Sequence, residues 1–214
     1  MAVEASLEPA PPGGTVAPSR IQTRNRRRIL DASLEVFSTH GYREATLDRI
    51  ARAAGLSKPN LLYYFESKEA IHRALLTELL QTWIAPLRAL DPEGEPCEEL
   101  LGYVGRKLEM SRRYPRESRL FAGEILQGAP RMEGFLRDVL RPLVDDRAAV
   151  IRRWAEEGRI ARVDPYHLIF SIWALTQHYA DFDAQIRMIR GEEIDPLEGA
   201  QAHLEQHFRR LLAP

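Results

Sequence analysis

The chain has 214 residues, of which 44% are hydrophobic and 29% charged, and its formal net charge is −1. This is the composition of a globular protein, and no segment approaches the roughly 18–20 apolar residues needed to span a bilayer. The single cysteine, Cys97, excludes an intrachain disulfide framework and a multi-cysteine metal site. The charge is uneven, since residues 20–75 hold 11 Lys and Arg against 6 Asp and Glu, whereas residues 76–214 hold 19 against 23. The basic first part predicts a polyanionic partner for that part alone.

Residues 1–19 are rich in Pro, Gly and Ala and show no periodic apolar pattern, so we expect a disordered tail there. They also lack the apolar segment of a secretory signal, and we expect a cytoplasmic protein. From Arg20 onward, helical spacing of apolar residues dominates and no strand alternation stands out. The pattern predicts an all-α fold.

Apolar spacing and capping residues predict four helices in the first part of the chain. The first has its apolar residues on one face and ends at Gly41. Three side chains can cap the second, third and fourth helices: Thr46, Ser57 and Ser67. The Pro- and Glu-rich residues 91–96 end the fourth helix.

Proline positions divide the rest of the chain into five further helices, which makes nine in all. The fifth ends near Tyr114–Pro115 and the sixth at Gly128–Pro130. The seventh, residues 132–157, contains Pro142, which predicts a kink. An Asp followed by a Pro is a strong start signal, and Asp164–Pro165 and Asp195–Pro196 should open the eighth and ninth helices.

Residues 46–68, TLDRIARAAGLSKPNLLYYFESK, predict a short helix, a turn at Gly55 and a second short helix. In such a helix-turn-helix the second helix lies in the major groove of DNA. There Lys58 can reach guanine or phosphate, Asn60 can pair with adenine, and the carbons of Pro59 can pack on a thymine methyl. Tyr63 and Tyr64 lie on the same helix.

An arginine-rich segment that includes Arg24 and Arg27 opens the first helix, as an arm that binds phosphates would. A helical hairpin whose basic face is merely solvated is the alternative at this point.

The run GYREATLDRIARAAGLSKPNLLYYFESKEAI resembles the N-terminal domain of the tetracycline-repressor (TetR) family of transcriptional regulators. The shared pattern is a Gly-aromatic pair after the first helix, a Thr that opens the second, Ala-Gly-hydrophobic-Ser at the turn, and a Tyr-x-Phe-x-Ser-Lys exit. The resemblance implies a DNA-binding domain at residues 20–66 and a ligand-binding and dimerisation domain at residues 67–214. It also implies a homodimeric repressor that binds a palindromic double-stranded DNA operator and responds to a small-molecule effector.

The same resemblance assigns roles to individual residues. Positions that contact bases and backbone are matched by Lys58, Pro59, Asn60 and Tyr64. Positions that contact phosphates are matched by Thr46 and Lys68. The sequence departs from the family pattern at Leu62, where a Tyr is common, so Tyr63 or Tyr64 should replace that phosphate contact.

The body of the chain resembles family members that regulate pyrimidine utilisation, through KLEMSRRYP, SRLF and DPYHLIFSIWALTQHYADF. This implies uracil or thymine as effector, with another small planar or hydrophobic ligand as the alternative. Trp173 and Gln177 are four residues apart and share a helix face, so an indole could stack on the ring while the amide pairs with an imide edge. Further candidate lining residues are Trp83, Lys107, Ser111, Glu124 and Tyr179. Core packing of the two tryptophans, and a vestigial pocket, are the competing interpretations.

Two late apolar stripes could form a subunit interface or an intramolecular core. They are Leu168, Ile172, Leu175 and Tyr179 in the eighth helix, and Leu197, Leu204, Phe208 and Leu211 in the ninth. The family resemblance favours a dimer formed through these last two helices.

Other functional classes find little support. Only His203 and His207 have helical i, i+4 spacing, and nothing nearby completes a metal site. The sequence has no glycine-rich phosphate loop and no nucleophile elbow. We therefore expect no metal, no cofactor and no enzymatic activity, although an enzyme built around a helical cavity is the rival class.

Overall fold

A computed structural model describes residues 20–214, and the predicted tail at residues 1–19 lies outside them. The helices of this part are α1 (Arg20–Glu44), α2 (Leu47–Ala53), α3 (Lys58–Tyr64), α4 (Lys68–Arg88), α5 (Pro96–Arg113), α6 (Pro115–Leu126), α7 (Glu133–Phe135), a π-helical segment (Leu136–Leu140), α8 (Arg141–Glu156), α9 (Pro165–Asp181), α10 (Asp183–Arg190) and α11 (Ala200–Leu212). No strand occurs within residues 20–214. The all-α prediction is confirmed.

The predicted helix starts follow from local hydrogen bonds. The hydroxyls of Thr46, Ser57 and Ser67 accept the backbone N–H groups of Arg49, Asn60 and Ala70 at 3.2, 3.4 and 3.0 Å. The carboxylate of Asp164 likewise accepts the N–H of His167 at 2.9 Å. Each cap satisfies an N–H that has no partner inside its helix.

The predicted count of nine helices is approximate. The predicted seventh helix corresponds to α7, the π-helical segment and α8 in unbroken succession, and its irregularity lies just before Pro142. The short helix α10 was not predicted. In α1, Gly41 adopts φ 72° and ψ 167°, which kinks the helix near its predicted end.

The prediction that Asp195–Pro196 opens the last helix is wrong. The Asp195 carboxylate accepts the N–H of Leu197, only two residues on, and its carbonyl accepts the N–H of Glu198. This local turn competes with helix formation. Helix α11 begins instead at Ala200, after Gly199 in the left-handed conformation.

Two apolar clusters form the core. One joins α1, α2 and α3 to the first half of α4 and includes Leu120 of α6 and Met132. The other joins the end of α4 to α5, α8, α9 and α11 around the fully buried Trp154 and Phe208. The first cluster contains residues from both sides of the predicted domain boundary between residues 66 and 67. That boundary therefore stays a prediction.

Candidate functional site

A tight turn sets α2 and α3 at an angle to each other. Gly55 has a positive φ of 62°, and a Cβ atom there would come within 2.9 Å of the Arg28 guanidinium. That guanidinium donates a 2.7 Å hydrogen bond to the carbonyl of Ala54. Glycine is therefore required both by the backbone conformation and by the approach of α1.

One face of α3 is anchored and the other is exposed. Leu61 is fully buried in the first cluster, whereas the side chains of Lys58, Pro59 and Asn60 lie in solvent. Tyr63 is 69% exposed. The predicted contact residues of α3 thus form one accessible surface beside α1.

The basic part of α1 forms a shallow cleft of its own. Its lining residues are Arg20, Thr23, Arg24, Arg27, Arg28 and Asp31. The Arg27 side chain forms ion pairs with Asp31 and Glu78 at 3.1 and 3.3 Å. Lys58 similarly pairs with Asp48 of α2 at 2.8 Å, which lowers the pKa of that carboxyl. These pairs are exposed and exchangeable, so both cations can change partners at low cost.

The structure gives Thr46 and Lys68 internal roles. The Thr46 hydroxyl caps α2 by accepting the N–H of Arg49. The Lys68 ammonium donates to the carbonyls of Tyr42 and Ala45, both at 2.8 Å, and to that of Arg43 at 3.5 Å. Its partial burial lowers its pKa. Lys68 therefore holds the end of α1 against the start of α4, and its predicted contact with a phosphate stays a prediction.

A cavity of about 40 Å³ lies inside the helical body. Its lining residues are Leu80, Trp83, Ile84, Leu87, Tyr103, Lys107, Phe121, Phe135, Leu140, Trp173 and Gln177. Four of the predicted ligand residues are therefore brought together from three helices: Trp83 from α4, Lys107 from α5, and Trp173 and Gln177 from α9.

Hydrogen-bond donors dominate the polar part of the cavity. Lys107 is only 2% exposed, and its ammonium lies 4.8 Å from the centre of the Trp83 ring. Burial lowers the pKa of Lys107 to about 8, an effect that the nearby Asp181 opposes. The indole Nε1 of Trp83 is buried and has no hydrogen-bond partner among the described residues. An unpaired buried donor is unfavourable, and an acceptor in the cavity would satisfy it.

Three other predicted ligand residues lie outside the cavity. Ser111 is buried and donates to the Thr176 carbonyl at 2.8 Å, which ties α5 to α9. Glu124 is buried and accepts from both the backbone and the guanidinium of Arg131, at 2.8 and 3.1 Å. Tyr179 borders a different surface cleft, beside His178 and Ile186. These three residues do not line this cavity, and their predicted role in ligand binding stays a prediction.

The cavity also contains residues that the sequence did not single out. Tyr103 accepts a hydrogen bond from Trp173, and Phe121 stacks on Trp83 with ring centres 6.2 Å apart. Phe135 and Leu140 flank and end the π-helical segment. In sequence, each is one apolar residue among many. No sequence signal marks them, because the π-helical turn beside Phe135 and Leu140, of a kind that clusters at functional sites, is visible only in the structure.

Comparison with known proteins gives a consistent result. A model of bacterial regulatory proteins of the tetR family matches residues 29–75, and a model of the C-terminal region of YcdC-like proteins matches residues 76–211. The chain belongs to the TetR family of bacterial transcriptional regulators. It is 46% identical to the HTH-type transcriptional regulator RutR of Escherichia coli strain K12 over 173 residues, which cover 81% of this chain and 82% of that protein.

Solved structures show the same fold for this TetR-family regulator. The transcriptional regulator SCO4942 from Streptomyces coelicolor has a TM-score of 0.65 and 23% identity, covering 88% of this chain and 98% of its own. A TetR-like regulator from Rhodococcus sp. RHA1 has a TM-score of 0.64 and 22% identity, covering 91% and 97%. Membership of the TetR family, and not this likeness of fold, makes the helix-turn-helix a DNA-binding element and the protein a transcriptional regulator instead of an enzyme.

Two further properties concern residues 20–214 only. None of their helices has both the length and the hydropathy needed to cross a membrane. No group of three or more His, Cys, Asp and Glu side chains among them is arranged to hold a metal ion.

Proposed function

We propose that this regulator is a repressor that binds a palindromic operator as a homodimer and is released when a planar, acceptor-rich small molecule enters the cavity. The observation that carries the proposal is the convergence of Trp83, Lys107, Trp173 and Gln177 on one cavity. Uracil and thymine are the first candidates, since the body resembles family members that regulate pyrimidine utilisation.

The chemistry of the cavity suits such a ring. The Lys107 ammonium and the Trp83 N–H can donate to ring carbonyls, and the Gln177 amide offers a donor and an acceptor to an imide edge. Indole faces provide stacking surface. At about 40 Å³ the slot must widen to accept a six-membered ring. We expect this widening at the π-helical segment, because Phe135 and Leu140 both line the slot.

The DNA-binding surface of the proposal is the exposed side of α3 with the basic part of α1. Asn60 and Pro59 would contact bases, Lys58, Tyr63 and Tyr64 bases or phosphates, and Arg24 and Arg27 phosphates. Thr46 would contact a phosphate at the start of α2. In a two-fold dimer, two copies of α3 would lie in successive major grooves about 34–36 Å or more apart.

The proposed dimer uses α9 and α11, but only the exposed part of the stripes first considered. Leu168, Ile172, Leu204 and Phe208 are buried within the single chain. The large apolar side chains that these helices expose are Phe170, Leu175 and Leu211, at 46%, 37% and 42%. These three residues are the proposed contacts with the second subunit.

The first experiment is the thermal stabilisation of the full-length protein by uracil, thymine, cytosine and purine bases. We expect a saturable rise in melting temperature with uracil or thymine, and its loss in Gln177→Ala, whose DNA affinity should be unchanged. The matched control is Gln206→Ala, an exposed amide on α11. Stabilisation by none of the bases would rule out pyrimidine sensing and would favour a different small planar or hydrophobic effector for the same cavity.

A further inference from the structure

Two amide side chains of α1 hold two tyrosines of α3. The Asn25 Nδ2 donates to the Tyr64 hydroxyl at 2.9 Å, and the Gln22 Nε2 donates to the Tyr63 hydroxyl at 3.1 Å. Gln22 and Asn25 are three residues apart and so share a face of α1. The two consecutive tyrosines pack edge to face, with ring centres 5.1 Å apart.

The direction of these hydrogen bonds matters. A phenol hydroxyl has one proton to donate and lone pairs to accept with. When an amide N–H donates to the phenol oxygen, the hydroxyl proton stays available for another partner. Phosphate oxygens only accept hydrogen bonds, so a tyrosine held in this way is prepared to donate to DNA.

We propose that Asn25 and Gln22 are positioning residues for DNA binding, each of which holds a tyrosine of α3 with its O–H directed to a phosphate oxygen. Neither amide contacts DNA itself. The proposal rests on α3 as the helix that contacts DNA, and it does not depend on the effector. Tyr63 and Tyr64 would then make the phosphate contact for which the family commonly has a Tyr at the position of Leu62.

The test is a double-mutant cycle between Asn25→Ala and Tyr64→Phe. The probe is a fluorescent 30-bp DNA duplex of random sequence at fixed salt concentration, since phosphate contacts do not depend on sequence. We expect Asn25→Ala and Tyr64→Phe each to weaken binding by about 3- to 10-fold, the range of one hydrogen bond. We expect the double variant to be no weaker than Tyr64→Phe alone. Gln22→Ala with Tyr63→Phe should behave in the same way.

Asn25→Asp distinguishes a positioning role of Asn25 from a merely structural role. The carboxylate keeps the size of the side chain but can only accept hydrogen bonds. The Tyr64 O–H would therefore donate to it and would no longer be directed to a phosphate. We expect Asn25→Asp to weaken binding more than Asn25→Ala, and we expect much of this excess to disappear in the Tyr64→Phe background. The part that remains reports the added negative charge alone.

The proposal is overturned if Asn25→Ala weakens binding equally with and without the Tyr64 hydroxyl, or if it has no effect. Lys58→Ala separates this result from a failure of the DNA-binding surface. If Lys58→Ala weakens binding and Asn25→Ala does not, then α3 contacts DNA without help from α1. If neither variant weakens binding, both the role of α3 and the positioning role fail.

Discussion

The indole Nε1 of Trp173 donates a 2.6 Å hydrogen bond to the hydroxyl of Tyr103. This bond joins α9 to α5 at the wall of the cavity, and Tyr103 is 1% exposed. Burial raises the pKa of the Tyr103 phenol far above its usual range, so the hydroxyl remains neutral. The ring of Trp173 is therefore held in place before any ligand enters, which is the condition for a stacking surface of defined orientation.

Replacing Tyr103 with Phe should destabilise the protein. The change leaves the Trp173 N–H without its partner at little cost in volume, and an unpaired buried donor costs about 1–3 kcal/mol. Urea unfolding followed by circular dichroism would measure the loss. Tyr166→Phe is the matched control, because its hydroxyl bonds to Asp145 at an exposed site and should matter much less. Equal losses in the two variants would contradict a special role for the Trp173–Tyr103 bond.

Replacing Lys107 with Met should stabilise the fold and abolish the response to uracil. The pKa of Lys107 is about 8 in the folded protein, below its unfolded value, so the unfolded chain binds more protons between about pH 8 and 10. The contribution of Lys107 to the free energy of unfolding therefore rises with pH across that window. Below it, the buried charge costs up to about 3 kcal/mol.

Unfolding free energies of wild type and Lys107→Met at pH 7 and pH 9.5 would test this expectation. The gain in Lys107→Met should be larger at pH 7. A variant that is less stable than wild type at both pH values would show that the ammonium has favourable partners in the folded state.

His72 should make the protein sensitive to acid. It is 1% exposed, lies edge-on to Phe37 at a ring-centre distance of 4.9 Å, and its Nδ1 has no partner among the described residues. Burial lowers its pKa to about 4, so the unfolded chain binds more protons between pH 4 and about 6.5. Stability contributed by neutral His72 is complete above that window and is lost as the pH falls through it.

The test compares unfolding free energies at pH 4.5 and pH 7 for His72→Phe and for His40→Gln, an exposed control. His72→Phe should lose less stability on acidification than wild type, whereas His40→Gln should follow wild type. Parallel pH profiles for all three proteins would assign the acid sensitivity to other groups.

Glu124 should affect communication between cavity and DNA, not the affinity for the effector. It lies one helical turn after Phe121, which lines the cavity, and it holds Arg131 over the ring of Tyr42 at 3.8 Å. Glu124→Gln keeps the size of the side chain but removes the charge that pairs with Arg131. We expect unchanged uracil affinity by calorimetry and an altered release of DNA by uracil. A large loss of uracil affinity would instead place Glu124 in the binding site.

Asn60 should distinguish specific from general DNA binding. Its side chain is exposed near the start of α3, where an amide can form two hydrogen bonds with adenine. Asn60→Ala should weaken binding to a selected operator by about 1–3 kcal/mol and leave binding to random duplexes nearly unchanged. Competition assays with both duplexes would measure the two affinities. Equal losses on both would make Asn60 a phosphate contact.

Sequence reasoning succeeded where a structural feature depends on a few neighbouring residues. Thr46, Ser57, Ser67 and Asp164 cap the helices that they were predicted to cap, because a cap needs only an oxygen and an N–H two or three residues away. Asp195 shows the limit of such signals. Its carboxylate could likewise cap a helix, but it accepts the N–H of Leu197 in a turn instead. Which of these two arrangements forms depends on how the following chain packs.

By itself, the sequence determined the all-α class, the helix-turn-helix and the family, because periodicity, caps and a motif of 31 residues are local properties. Only the tertiary structure decided which polar residues of the body meet. Lys107 and Ser111 are one turn apart on α5 and both buried, yet Lys107 faces the cavity while Ser111 binds the Thr176 carbonyl. The physical reason is that a buried polar group needs a partner, and the residue alone does not show whether another helix or a ligand will supply it.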